Sequence, residues 1–177
     1  MDNQHIADDL KLDSHELAYL AGCIECDGSI HIGYHHVSTG MRPQCCINFT
    51  NTNEVLYTRI LNDLKAIAPK IYIRHLATRE NKPNSKPVYA VEVCTQTGCK
   101  LVLEAILPWL LSKKAQADLV LEFIYSRMSK GAKRGCGYLP LSRRELQIVY
   151  DIRVLNHRGI SQTADRGLLE AIEKAKF

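Results

Sequence analysis

Across residues 20–36 the chain reads Leu-Ala-Gly-Cys-Ile-Glu-Cys-Asp-Gly-Ser-Ile-His-Ile-Gly-Tyr-His-His, and its hydrophobic period changes partway. Up to Glu25, apolar and small residues recur at helical spacing. From Ser29 onward, Ile30, Ile32 and Tyr34 alternate with His31, Gly33 and His35, the period of a half-buried strand. A chain that passes this abruptly between periods must run a helix straight into a strand, with both buried faces serving one core. Gly28 is placed for a left-handed exit from the helix, and a lone carboxylate, Asp27, stands at the hinge.

The remaining sequence supplies partners for that unit. Ser14 is positioned to cap the first helix, with Glu16 favouring its first turn. Strands are expected over about 29–36 and 44–50, then a helix over 54–66 that Ala68-Pro69 stops. A second hairpin is expected over 70–78 and 88–95, joined by the polar loop Arg-Glu-Asn-Lys-Pro-Asn-Ser-Lys-Pro. Helices follow over 99–111 and 114–128, then the basic, glycine-rich run Lys-Gly-Ala-Lys-Arg-Gly-Cys-Gly. The last helices cover 143–155, opened by a capping-box spacing from Ser142 to Glu145, and 164–174. The order α-β-β-α-β-β-α with a helical tail defines an α+β class with an antiparallel sheet. At 177 residues a single domain, 1–177, is expected, with a core over about 14–155 and a tail over 156–177.

Charge and cysteine content narrow the function classes. The formal net charge of +4 permits a nucleic-acid partner without demanding one. No run approaches a membrane span, and the acidic start, Met-Asp-Asn-Gln-His-Ile-Ala-Asp-Asp, is unlike a secretory or transit signal. The seven cysteines are odd in number and sit mostly in apolar runs, which disfavours a secreted disulfide framework and fits an intracellular protein, in an organelle or a prokaryotic cytoplasm. Cys23 and Cys26 have zinc-ligand spacing, with Cys45, Cys46 or the histidines His31, His35 and His36 available to complete a site. They lie within an apolar helix without a glycine-rich knuckle, so small buried residues are the better reading.

Each expected strand has one apolar face and one unusual face. Ile30, Ile32 and Tyr34, then Cys45, Ile47 and Phe49, then Ile71, Ile73, Val91 and Val93 are core candidates. The other face gathers His31, Gly33, His35, Arg42, Gln44, Cys46, Asn48, Tyr72, Arg74 and Glu92. It is short of lysine and rich in side chains that donate and accept in pairs, the types that read base edges in the major groove. Lys113 and Lys114 fall where one helix ends and the next begins.

Residues 20–28, Leu-Ala-Gly-Cys-Ile-Glu-Cys-Asp-Gly, resemble the signature of the LAGLIDADG homing endonucleases, matching at Leu20, Ala21, Gly22, Ile24, Asp27 and Gly28, with Glu25 in place of one aspartate. Ser29-Ile30, the order of elements and Lys113-Lys-Ala-Gln-Ala-Asp-Leu-Val, similar to the lysine-bearing stretch of single-motif members, extend the likeness over roughly 17–155. The resemblance implies an α-β-β-α-β-β-α fold whose antiparallel sheet forms a DNA-binding saddle, and a first helix that pairs with its copy through Ala18, Ala21 and Gly22. One motif per chain then implies a homodimer with one Asp27 from each copy, bridged by Mg2+ or another divalent cation such as Mn2+. The same resemblance assigns Asp27, Asn51 and Lys113 to catalysis, the Cys26 backbone carbonyl to the metal, and His157 and Arg158 to phosphate contacts, with the loop at Lys130 to Gly135 doing likewise. Two departures stand out. Asn51 is shorter than the family's common glutamine. Val55 occupies a place where the family has a basic residue, with Arg59 one turn later.

The leading expectation is a sequence-specific, metal-dependent endonuclease that hydrolyses double-stranded DNA at a long pseudo-palindromic target and leaves 3′ overhangs. Its reading frame would lie in a mobile intron. The alternative is a non-cleaving relative, an intron maturase or regulator that only binds nucleic acid. A helix-turn-helix module over 143–172 would need an exposed recognition helix and would leave the motif at Leu20 unexplained.

Overall fold

The computed structural model describes residues 12–37, 40–69, 73–77, 87–130, 139–156 and 162–175. Helix α1 (Ser14–Asp27) runs into β1 (Gly28–Val37), which pairs with β2 (Gly40–Asn51). Then follow α2 (Glu54–Ile67), β3 (Ile73–Ala77), β4 (Tyr89–Val93), α3 (Gln96–Ile106), a 3-10 turn (Leu107–Trp109), α4 (Lys114–Ser129), α5 (Arg143–Leu155) and α6 (Gln162–Lys174). The α+β order expected from the sequence holds. The sheet is antiparallel with strand order β1-β2-β4-β3, so the second hairpin joins the first through β2 and β4.

Alternation along the strands decides which side is covered. Ile30, Ile32, Cys45, Ile47, Phe49, Val91 and Val93 are buried beneath the helices, and one apolar cluster runs from them through Leu103, Phe123 and Ile148 to Leu168 and Ile172 of α6. The intervening residues Ser29, His31, Gly33, Gln44, Asn48 and Glu92 are half-exposed on the other side. Among the described residues, no helix is long and apolar enough to cross a membrane.

Helix ends explain the boundaries. The first cap is Asp13 rather than Ser14: its carboxylate accepts from the backbone N–H of His15 and Glu16, and Glu16 Oε2 accepts from the Asp13 N–H in return. Asn53 caps α2, Thr95 caps α3, and Ser142 with Glu145 forms the capping box expected at α5. The helix expected over 99–111 stops at Ile106, because Pro108 starts a tighter turn. Gly28 is not left-handed either; its φ is −94° and ψ 174°, extended backbone. Its glycine is required by proximity instead. A Cβ there would stand 2.9 Å from the carbonyl oxygens of Asn48 and Ile24, where β1 starts against β2 with no room for a side chain.

Candidate functional site

The C-terminal end of α1 is where distant parts of the chain meet. Asp27 closes the helix with an exposed side chain, and Asn51, the last residue of β2, donates from Nδ2 to its Oδ2 at 2.8 Å. The Asn51 amide is itself oriented, because its Oδ1 accepts from the Asn53 backbone N–H at 2.8 Å. That fixes which end of the amide faces the carboxylate. Among the described residues this is the one hydrogen bond to Asp27, so most of its acceptor capacity is open to solvent.

Lys113 stands on the other side of the same helix end. Its Nζ donates to the carbonyls of Ile24 at 2.7 Å, Glu25 at 2.6 Å and Gly28 at 2.7 Å. Of these, the Ile24 carbonyl also accepts from the Gly28 N–H that closes the helix, and an ammonium here answers the negative end of the helix dipole. Glu25 reaches back the opposite way. Its carboxylate accepts from the N–H of Leu111, Ser112 and Lys113, at 3.0, 3.0 and 2.8 Å, and from Ser112 Oγ at 2.6 Å. Burial pushes the Glu25 carboxyl up, but these hydrogen bonds outweigh it and hold it below the usual glutamate range. Sequence reasoning passed Glu25 over as a conservative stand-in within the motif. The acidic residue following an apolar helical turn was the available signal.

The remaining expected residues divide. On α1, Leu17, Leu20, Ala21 and Ile24 form the buried face, while Ala18, Gly22 and Cys26 share the outward one. Ala21, expected at an interface with Ala18 and Gly22, is therefore enclosed in its own chain's core. Gly22 faces open space, with nothing within 4 Å of a built Cβ. Cys26, expected to be buried, is exposed. Val55 is exposed on α2, and Arg59 does not take its place: Nε holds both carboxylate oxygens of Asp63, at 2.9 and 3.0 Å, and Nη2 reaches Glu16 at 3.1 Å. Glu16 lies near the far end of α1, about 16 Å along the axis from Asp27 at 1.5 Å per residue.

The outer sheet face is cross-linked rather than simply solvated. Ser29 Oγ donates to Asn48 Oδ1 at 2.8 Å and lies 3.1 Å from His31 Nδ1. Burial holds the His31 imidazole below its usual value, against the opposing pull of the Glu92 charge. Gln44 Nε2 donates to the Cys94 carbonyl at 3.1 Å. Cys46, expected to face outward, does so yet is buried by its lateral neighbours, with its Sγ 3.0 Å from Cys94 Sγ. His35 pairs with Arg42 in the ladder, and Arg74 with Glu92. The side chains of His35, Arg42 and Arg74, and all of Tyr72, His157 and Arg158, lie outside the described residues, as does most of the loop after Lys130.

No sequence-family profile and no curated protein sequence matches the chain. Solved structures do. The homing endonuclease I-CvuI, in complex with its target in the presence of 2 mM Ca, superposes with a TM-score of 0.60 at 19% identity, over 91% of this chain and 98% of that one. The archaeal intron-encoded homing endonuclease I-Vdi141I, complexed with DNA, gives 0.64 at 17% identity, over 90% and 96%. The LAGLIDADG homing endonuclease I-SmaMI, bound to cleaved DNA, gives 0.58 at 15% identity, over 95% of this chain and 50% of that one. The fold is that of the LAGLIDADG homing endonucleases. Within the LAGLIDADG fold, the signature stretch at Leu20 to Gly28 is the second half of α1 and the first residue of β1. Asp27 is thus delivered to the helix foot by the same packing that buries Leu20 and Ile24.

Proposed function

We propose that the chain is a LAGLIDADG homing endonuclease: a sequence-specific, divalent-metal-dependent enzyme that hydrolyses phosphodiester bonds in double-stranded DNA as a homodimer. The observation that carries this is the foot of α1, where Asp27, Asn51 and Lys113 converge from three separate parts of the sequence. The donor set there is oxygen: an exposed carboxylate, with the Cys26 backbone carbonyl beside it, suits Mg2+ or Mn2+. One carboxylate per chain is half a site, and pairing two copies brings a second. Two such carboxylates repel without a cation between them.

When bound, the metal supplies water activation and stabilises charge on the leaving 3′ oxygen. The protein's own contribution follows from its hydrogen bonds. Asn51 orients Asp27 so that Oδ1 stays available. Lys113 holds the helix end in place by its carbonyls and brings a positive charge beside the scissile phosphate. The outer face of the sheet lies against the major groove, where Gln44, Asn48, Arg74 and Glu92 read base edges. His157 and Arg158 are assigned to phosphates.

Dimer formation is favoured by the outward stripe of α1. Gly22 has open space above it, and Leu111, 86% exposed, and Trp109, 41% exposed, flank the loop that Glu25 holds. A second copy would cover these apolar groups. The chain matches half of I-SmaMI, as a repeat unit would. A linear plasmid carrying the sequence that flanks the reading frame's insertion point tests the proposal. Cleavage with Mg2+, leaving 3′ overhangs, and none with Asp27→Asn is expected. Binding without cleavage by the wild type would instead favour a maturase or regulator, a reading to which Val55 and the engagement of Arg59 by Glu16 and Asp63 lend weight.

A further inference from the structure

The outer face of the sheet carries a cysteine pair, Cys46 and Cys94, to which the endonuclease proposal gives no role, beside Glu92. β2 and β4 pair as far as Ile47↔Val93, and continuing that register by one residue sets Cys46 opposite Cys94. The two Sγ atoms are 3.0 Å apart. Glu92, two residues before Cys94 and therefore on the same side of the sheet, has Oε2 3.8 Å from Cys94 Sγ. One ligand atom from each of the three residues lies within 4.8 Å of the other two. We propose that Cys46, Cys94 and Glu92 form a binding site for a thiophilic divalent cation of the Zn2+ class, separate from the site at Asp27.

The chemistry of the donor set supports a soft ion. Two thiolates and a carboxylate match Zn2+, whereas Mg2+ demands oxygen ligands throughout. Two sulfurs on one tetrahedral Zn2+ stand about 3.7 Å apart, given Zn–S bonds of about 2.3 Å, so small side-chain rotations from 3.0 Å suffice. Entry is open, because Glu92 and Cys94 are half-exposed while only Cys46 is buried. Binding releases two thiol protons to solvent and changes no oxidation state. With three protein ligands the fourth position stays open, and His31 pairs with Cys46 in the β1–β2 register. The effect on the fold is local. The ion would fasten β2 to the chain leaving β4 at the point where the backbone ladder ends.

The test uses the full chain, reduced and stripped by a chelator. Zn2+ is titrated in competition with a chromogenic chelator, and Co2+ is added in parallel as a spectroscopic probe. Stoichiometric Zn2+ uptake, with a thiolate-to-cobalt charge-transfer band, is expected. Cys46→Ser and Cys94→Ser should each abolish the band, and Glu92→Gln should weaken Zn2+ by at least about tenfold. Asp27→Asn and Cys26→Ser should leave both signals unchanged, which keeps this result independent of the nuclease. In the wild type, Zn2+ should protect Cys94 from alkylation by iodoacetamide, a readout that needs no variant to fold. No uptake by the reduced chain overturns the proposal. So does uptake that survives Cys94→Ser in a chain whose circular dichroism is native, or a Cys46–Cys94 disulfide in a chain that takes up no metal.

Discussion

The two ends of α1 carry similar charges and do different things. At the N-terminal end Asp13, Glu16, Arg59 and Asp63 form a closed set: Asp13 and Glu16 exchange backbone hydrogen bonds, and Arg59 joins Glu16 to Asp63 while lying 5.7 Å over the Tyr19 ring. At the C-terminal end Glu25, Asp27, Asn51 and Lys113 form an open set. Glu25 accepts from three backbone N–H groups and the Ser112 hydroxyl, and Lys113 donates to three carbonyls, while Asp27 keeps free acceptor capacity in solvent. A count of acids and bases does not separate the two. What separates them is whether a carboxylate has been left with work to do after the fold is complete.

Breaking the open end should have the largest effect. Asp27→Asn is expected to abolish cleavage while circular dichroism and DNA affinity stay near wild type, because an amide is a poor ligand for Mg2+. Cleavage at the wild-type rate would erase the distinction between the ends. Next comes Lys113→Met, expected to slow single-turnover cleavage by at least about tenfold, roughly 1.4 kcal/mol in barrier. The structure adds a second expectation, a lowered melting temperature, since three carbonyls lose their ammonium. Lys114→Met, exposed one position on, should be close to wild type in both assays.

Gly22→Leu tests whether the helix between the two ends is itself an interface. Open space above Gly22 means the monomer should tolerate the side chain, so a loss of dimer in sedimentation with an unchanged melt of the isolated chain is expected. Glu25→Gln then sharpens the contrast by pH. Glu25 is held below its ordinary range, so the stability it contributes is present above that range and is lost as pH falls through the folded value. The variant should melt lower at neutral pH and show a flatter acid limb, and identical acid limbs would remove Glu25 from the turn at 111–113. Arg59→Ala should have the smallest effect on function: a modest drop in melting temperature, with the cleavage rate of the folded protein unchanged.

Much of this was readable in one dimension. The switch from period 3.6 to period 2 around Asp27 locates the α1–β1 junction, and the spacing of turns and caps gives the two hairpins, though not the β2–β4 pairing that joins them. The resemblance singles out Asp27, Asn51 and Lys113 as separate residues; that Asn51 donates to Asp27 while Lys113 donates to three carbonyls around the same helix end is visible only in three dimensions. What the sequence hid is what depends on angle or on distance between elements. Ala18, Ala21 and Gly22 are all small, and only the helix's rotation against the sheet buries Ala21 and exposes Gly22. Arg59 has acids both four and 43 residues away, and no local rule chooses between those and the site near Val55. Gly28 serves a close approach to Asn48 rather than a turn, which needs the β1–β2 register. The same is true of Cys46 and Cys94, whose sulfurs meet only because β4, not β3, lies beside β2.

The reciprocal clasp between Glu25 and Lys113 spans 85 to 89 residues of sequence. Contacts of such separation form late, after much of the intervening chain has already collapsed. During synthesis the foot of α1 emerges from the ribosome long before the loop at 111–113, and until that loop arrives the last carbonyls of the helix have no cation to close them. A partly made chain therefore carries the motif aspartate without the brace that holds it in place. The helix foot is braced only once the chain has been made through residue 113.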